Sequence, residues 1–256
     1  MYKNIIKSTI FATILALPTL SIAKNIKVCV DNDWFPYSFM KDDQVVGIHI
    51  DIVRKAIQDN GDSVTFKAIP WKRCLSLGKV GKVDGMMSAS YKDKRAVFAY
   101  YPKGAKTEKR VQGRIDQIEY MLVTKKTNDY VYNGEYKTIP QPISIGAGAS
   151  LKDNLSKAGL KVKESRTNKN SISMLMLNRV NSVALNPVRA KAFNTNGEFK
   201  NKLTIHKIPL KGKSYHIVFS KKSKINEKDR KKVWDSLDNV RTDEKFLFEI
   251  FSKYTK

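Results

Sequence analysis

The chain reads as an α/β protein built in two lobes, and three observations point there. Apolar residues alternate with period two in some segments and recur at helical spacing in others, and the two kinds of segment take turns. This alternation runs once from Asn25 to Ser88 and again from Ile143 to Leu185, with a polar, basic stretch between. At 256 residues, even without a leader ending at Ala23, the chain exceeds the commonest size of a single domain.

Residues 1–23 have the make-up of an export leader. Lys3 and Lys7 give a positive start, Ile10 to Leu20 an apolar stretch, and Ser21-Ile22-Ala23 the small residues that precede a cut after Ala23. The apolar stretch is short for a membrane span and contains Pro18, and Cys29 lies too far from the cut to carry a lipid. The expected location is the periplasm.

Ile26, Val28 and Val30 alternate as a strand that ends in the turn-prone Asp31-Asn32-Asp33. After Gly47, the residues Ile48, Ile52, Val53, Ala56 and Ile57 form one helical stripe, stopped by Asn60-Gly61. Val64 to Ile69 is a second strand, so a βαβ unit and a parallel sheet are expected. Pro70-Trp71 opens a helix through Cys74, Leu75 and Leu77, and Val83 to Ser88 resumes a strand. The basic stretch from Lys103 to Gln117 reads as a crossing between lobes, followed by a strand from Tyr120 to Thr124. The second set comprises a strand from Ile143 to Ala147, a helix from Ser150, a helix from Ser171 to Leu177 and a strand from Ser182 to Leu185, ending near Pro209. A strand from Tyr215 to Ser220 precedes a helical tail with the stripes Val233, Trp234, Leu237, Val240 and Phe246, Leu247, Ile250, Phe251. With the tail returned to the first lobe, lobe one is 24–115 with 212–256 and lobe two is 116–211. The hinge then falls near 113–119 and 209–215.

The formal charge of +24, of which Lys3 and Lys7 belong to the leader, makes the protein a general attractor of anions. No zinc-finger spacing, recognition-helix signature or ribonucleoprotein aromatic motif accompanies it, so nucleic acid is not the expected partner. Cys29 and Cys74 in an exported chain invite a disulfide. No histidine stands near either at metal or nucleophile spacing, so no metal and no cofactor are expected.

Open parallel sheets carry their functional loops at the carboxyl ends of strands, which singles out four segments. The first, from Asp31 to Tyr37, offers Trp34 as a stacking surface or a core plug, and paired acids that more often cap backbone amides than catalyse. The second places Trp71 at a helix start. The third, Met87 to Arg95, combines the hydroxyls of Ser88 and Ser90 with Arg95, a set suited to a carboxylate that needs a two-pronged charged donor. The fourth, Gly146 to Ser150, turns a strand into a helix.

Taken together, the ordered segments resemble the family 3 bacterial extracellular solute-binding proteins, from Ile26 to the C-terminus. The residues that carry the resemblance are Asp31 with Trp34-Phe35-Pro36-Tyr37, Gly47-Ile48-His49-Ile50-Asp51, Gly81 to Gly85, Ser88-Ala89-Ser90 with Arg95, and Gly148-Ala149-Ser150. Cys29 with Pro70-Trp71-Lys72-Arg73-Cys74 resembles a subgroup of that family. The resemblance implies a type II periplasmic-binding-protein fold with a two-crossing hinge, a small-molecule ligand, an inner-membrane ABC permease or sensor as partner, and a monomer. It implies that Arg95 clamps a ligand carboxylate with Ser88, Ser90 and Ser150, that Trp34 and Trp71 line the ligand, and that Asp31 supports it. Asn186 stands where relatives that bind α-amino acids carry an acid for the ammonium group. Catalysis is not expected, the alternatives being a sensing partner or a dehydratase-like enzyme, for which a placed general acid is needed.

Overall fold

The computed structural model describes residues 23–108 and 110–255, so the leader up to Ile22 lies outside the described residues. Strand β1 (Asn25–Asp31) is followed by a small hairpin of β2 (Asp33–Trp34), β3 (Ser38–Lys41) and β4 (Gln44–Val46), then helix α1 (Ile48–Gln58). Next come β5 (Ser63–Ile69), α2 (Trp71–Val80), β6 (Gly85–Ala89), α3 (Asp93–Ala96) and β7 (Ala99–Tyr100). The middle of the chain forms β8 (Asp116–Lys125), β9 (Ile143–Gly146), α4 (Leu151–Lys157), β10 (Val162–Ser165), α5 (Asn168–Met176), β11 (Ser182–Leu185) and α6 (Pro187–Thr195). The chain finishes with β12 (Leu203–Ser220), α7 (Glu227–Val240) and α8 (Glu244–Thr255).

The sheet order is β10-β9-β11-β8-β12-β6-β1-β5, with β7 beside β12. In one half β1 lies parallel between β5 and β6, in the other β9 lies parallel between β10 and β11. The halves are joined by the antiparallel pair β8 and β12. β12 pairs with β8 from Leu203 to Tyr215, then with β6 from His216 to Phe219. One continuous strand therefore belongs to both sheets. The expected strand from Tyr215 is its second half. The apolar alternation fails around Pro209, which supplies no amide to the ladder, and the pairing absorbs it through register shifts between Ile205 and Lys211.

β1 shows why the first half is held firmly. Ile26, Val28, Cys29 and Val30 are all buried, as expected for a central strand covered on both faces. α1 turns Ile48, Ile52, Val53, Ala56 and Ile57 inward, as its stripe predicts. Its entry needs Gly47, whose φ of 137° and 2.4 Å clearance from the Tyr37 carbonyl oxygen would exclude a Cβ. The tail packs on this helix: Tyr254 donates to Asp51 Oδ2 at 2.8 Å and Lys253 reaches the same atom at 3.0 Å. Cys29 and Cys74 are joined as a disulfide, tying β1 to α2, with a Cα separation of 5.6 Å.

Candidate functional site

Parallel pairing fixes which loops meet. The register that matches Asp31 to Ile69 brings Asp31 and the Pro70-Trp71 helix start to one sheet end, beside the end of β6 with Ser88 and Ser90. In the other half, the ends of β9, β10 and β11 present Ala147 to Ser150, Arg166 to Asn168, and Asn186. The two sets face each other across a cleft of about 360 Å³. All eight residues expected at the site, Asp31, Trp34, Trp71, Ser88, Ser90, Arg95, Ser150 and Asn186, line it.

Arg95 is 5% exposed and sits at the wall of the cleft. Its Nη1 donates to the Ser90 carbonyl and its Nη2 to the Gly148 carbonyl of the opposite half, each at 2.7 Å, with the guanidinium 5.4 Å from the Trp71 ring centroid. A guanidinium has five N–H donors, so these two bonds, with the Tyr101 hydroxyl also beside it, do not exhaust them. Gly148 allows this approach: at φ 80° a Cβ there would come to 3.1 Å from Trp71 Cδ1.

Ser90 donates to Ser150 Oγ at 2.6 Å, linking the two sides directly. Ser88 has φ 65°, an uncommon conformation for a side-chain-bearing residue, and its hydroxyl lies 2.9 Å from His49 Nδ1. His49 is fully buried, and burial holds its pKa below the usual value against the opposing pull of Asp116. The nearest Asp116 oxygen is 3.8 Å from Nε2, too far for a hydrogen bond.

Trp34 is half-buried and packs among aromatics, its ring 4.7 Å from Tyr215 and 4.8 Å from Tyr37. Tyr215 donates to Tyr120 Oη at 3.0 Å, and both tyrosines line the cleft. Trp34 thus serves as wall and packing element together.

The acids divide clearly. Burial raises Glu164, but the Gly148 amide, Lys152 and Lys72 outweigh it and hold the carboxylate down at about 2. Asp33 accepts from the Asn168 amide at 3.1 Å and pairs with Arg189 at 3.4 Å. Asp31 has no ion-pair partner among the described residues; it accepts from the Asp33 amide at 3.2 Å, and burial aided by the Asp33 charge outweighs the backbone amides and pushes it up to about 6.

Asn186 does not project free into the cleft. Its Oδ1 accepts from the Arg189 amide at 2.8 Å, capping α6, and its Nδ2 donates to the Phe35 carbonyl across the cleft at 3.2 Å. Asn186-Pro187 was the signal for this cap, since proline favours the first helical position. Asn168 and Arg189, which meet Asp33 across the cleft, went unremarked in the sequence because each is an ordinary polar residue outside any motif, and Asp33 stood out only as one of a pair of capping acids. Among the described residues no group of three or more His, Cys, Asp or Glu could hold a metal, and no helix is long and apolar enough to cross a membrane.

Two parallel-stranded halves whose strand ends face each other across a cleft define a two-lobed architecture. The sequence model of the bacterial extracellular solute-binding proteins, family 3, matches residues 26–255, and the chain belongs to that family. No curated protein matches the sequence. Among solved structures it is similar to a histidine kinase sensor domain with similarity to periplasmic binding proteins (TM-score 0.74, 14% identity, 90% of this chain and 95% of that one). It is also similar to the arginine-, lysine-, histidine-binding protein ArtJ from Geobacillus stearothermophilus (TM-score 0.72, 18% identity, 90% and 94%). A third is the ancestral amino acid-binding protein AncCDT-1, a precursor of cyclohexadienyl dehydratase (TM-score 0.70, 15% identity, 91% and 96%). These likenesses establish the two-lobed type II fold.

Proposed function

We propose that the protein captures a small carboxylate-bearing solute, an amino acid or related compound, between its lobes and delivers it to an inner-membrane ABC permease, without chemical turnover. The observation that carries this reading is Arg95: a buried guanidinium in a cleft wall, bonded to one carbonyl from each side, with donors to spare. A carboxylate entering the cleft loses water and regains hydrogen bonds from a charged fork. Ser90 and Ser150, already bonded to each other, would add neutral donors, and Trp34 and Trp71 an apolar surface. Lobe one at 24–115 with 212–256 and lobe two at 116–211 would close about the β8 and β12 crossings. The proposal includes export to the periplasm after loss of residues 1–23, and action as a monomer. The sensor-domain likeness supports an alternative partner, a membrane signalling protein that reads the closed form.

A thermal-shift screen over amino acids, dicarboxylates, opines and short peptides tests this. One chemical class should raise the melting temperature in a concentration-dependent way and be recovered unchanged. A folded protein that no carboxylate-bearing compound stabilises would refute it, and conversion of the compound would identify an enzyme.

A further inference from the structure

On the other side of Arg95 from the cleft lies a second concavity of about 290 Å³, lined by Lys72, Leu75, Ser76, Lys79, Lys92, Lys94, Arg95, Phe98 and Gly148. No acidic residue lines it. Lys72, Leu75, Ser76 and Lys79 fall at helical spacing on one face of α2, while Lys92 and Lys94 come from the entry of α3. Lys72 and Lys92 place part of their charge on Glu164 at 3.1 Å and Asp153 at 2.8 Å. Lys79 and Lys94 have no ion-pair partner among the described residues. Four ammonium groups and a guanidinium around one small groove repel each other, and that repulsion is relieved by an anion carrying more than one charge. Lysines are compact point charges with rotatable donors, suited to phosphate oxygens from several directions.

We propose that this groove is a second anion site, for a phosphate-type anion, separated from the cleft by Arg95. The site stands on its own residues whether or not the cleft takes a carboxylate. Leu75 and Phe98 give it an apolar floor that suits the organic part of a phosphate ester or the edge of a lipid headgroup. Since Arg95 and Lys72 line both cavities, an anion held here draws on the same guanidinium that faces the cleft. If the carboxylate reading also holds, filling the groove weakens solute binding.

The probe is inorganic pyrophosphate, titrated calorimetrically into the mature protein at low and moderate salt. Lys79→Ala with Lys94→Ala should weaken binding by roughly tenfold. Lys200→Ala with Lys228→Ala removes the same charge from exposed positions outside the groove and should leave it within about twofold. Equal weakening by the two pairs, or no binding to the wild type, overturns the site and leaves only a diffuse basic field. Vesicles of phosphatidylglycerol in phosphatidylcholine separate the sources. Vesicle binding lost with the groove pair assigns the anion to a lipid headgroup, whereas pyrophosphate binding without it assigns a soluble phosphate. Competition between pyrophosphate and a cleft solute is read separately, so failure of the carboxylate reading leaves the direct titration intact.

Discussion

Replacing Arg95 with alanine tests the carboxylate reading at its centre. The side chain is 5% exposed and holds the Ser90 and Gly148 carbonyls at 2.7 Å each, so truncation removes the ligand's charged partner and one bond that spans the lobes. Truncating one member of a buried, hydrogen-bonded charge pair costs about 2 to 5 kcal/mol, or roughly 30-fold to several-thousand-fold in affinity. Arg95→Lys keeps the charge but cannot hold both carbonyls and a carboxylate, because an ammonium lacks the planar fork, and should recover only part of the loss. The assay is calorimetry with one solute identified by thermal shift, alongside circular dichroism. Folding should survive, since the guanidinium borders a cleft and its two closest bonds are to backbone carbonyls rather than to core side chains. Affinity within about threefold of wild type in a folded Arg95→Ala protein would refute the carboxylate clamp.

The lobe-bridging acid gives a second test. Asp33→Asn and Arg189→Met should each weaken solute binding by loosening the closed state, with a double-mutant-cycle coupling of about 1 kcal/mol for this part-exposed pair, and additive effects would show that the pair does not latch the lobes. Asp31 sits at about 6, above its unfolded value, so it binds its proton more tightly when folded. Its contribution therefore falls as pH rises from about 4 to 6, and Asp31→Asn should remove that decline from urea unfolding curves. Parallel wild-type and variant curves over this range would contradict the burial of an unpaired carboxylate. Reducing the Cys29–Cys74 bridge should cost up to about 4 kcal/mol by the chain-entropy estimate for its 45-residue separation, and two alkylatable thiols in native secreted protein would remove the bridge from the account. Asn186 offers no countercharge and both ends of its amide are engaged, so an unmodified α-amino acid should bind weakly unless Asp31 reaches its ammonium. Submicromolar binding that persists in Asp31→Asn would show another group receiving the cation.

Most of the residues expected at the site were legible because they stand at or just beyond a strand end or at a helix start, and parallel pairing gathers such positions at one sheet edge. Ile26-Val28-Val30, the α1 stripe and Pro70-Trp71 place Asp31 and Trp71 from local pattern alone. The short strands β2–β4 and β10 escaped because few of their residues are buried and apolar, whereas β9 and β11, equally short, are marked by buried Ile143, Ile145, Val183 and Leu185. α6 escaped because it has almost no apolar stripe, with only Ala190 buried, although its Asn-Pro start was visible. The full length of β12 escaped at Pro209, a residue that argues against a central strand until a bulge accommodates it.

What no local pattern could supply is the pairing of polar residues between lobes. Asp33 meets Asn168 and Arg189 across more than 130 positions of sequence, and Asn186 meets Phe35 across 151. Read in the chain, Asn186 is a missing acid; in the structure it is a helix cap that also holds the opposite lobe. Its amide carries no charge to pair with a ligand's ammonium group, and both of its ends are already bonded. If Arg95 takes a carboxylate as proposed, the ligand's other end meets Asp31, Trp34, Tyr120 and Tyr215, which line the same cleft. Selectivity would then be set at that end, where Asp31 has no ion-pair partner among the described residues.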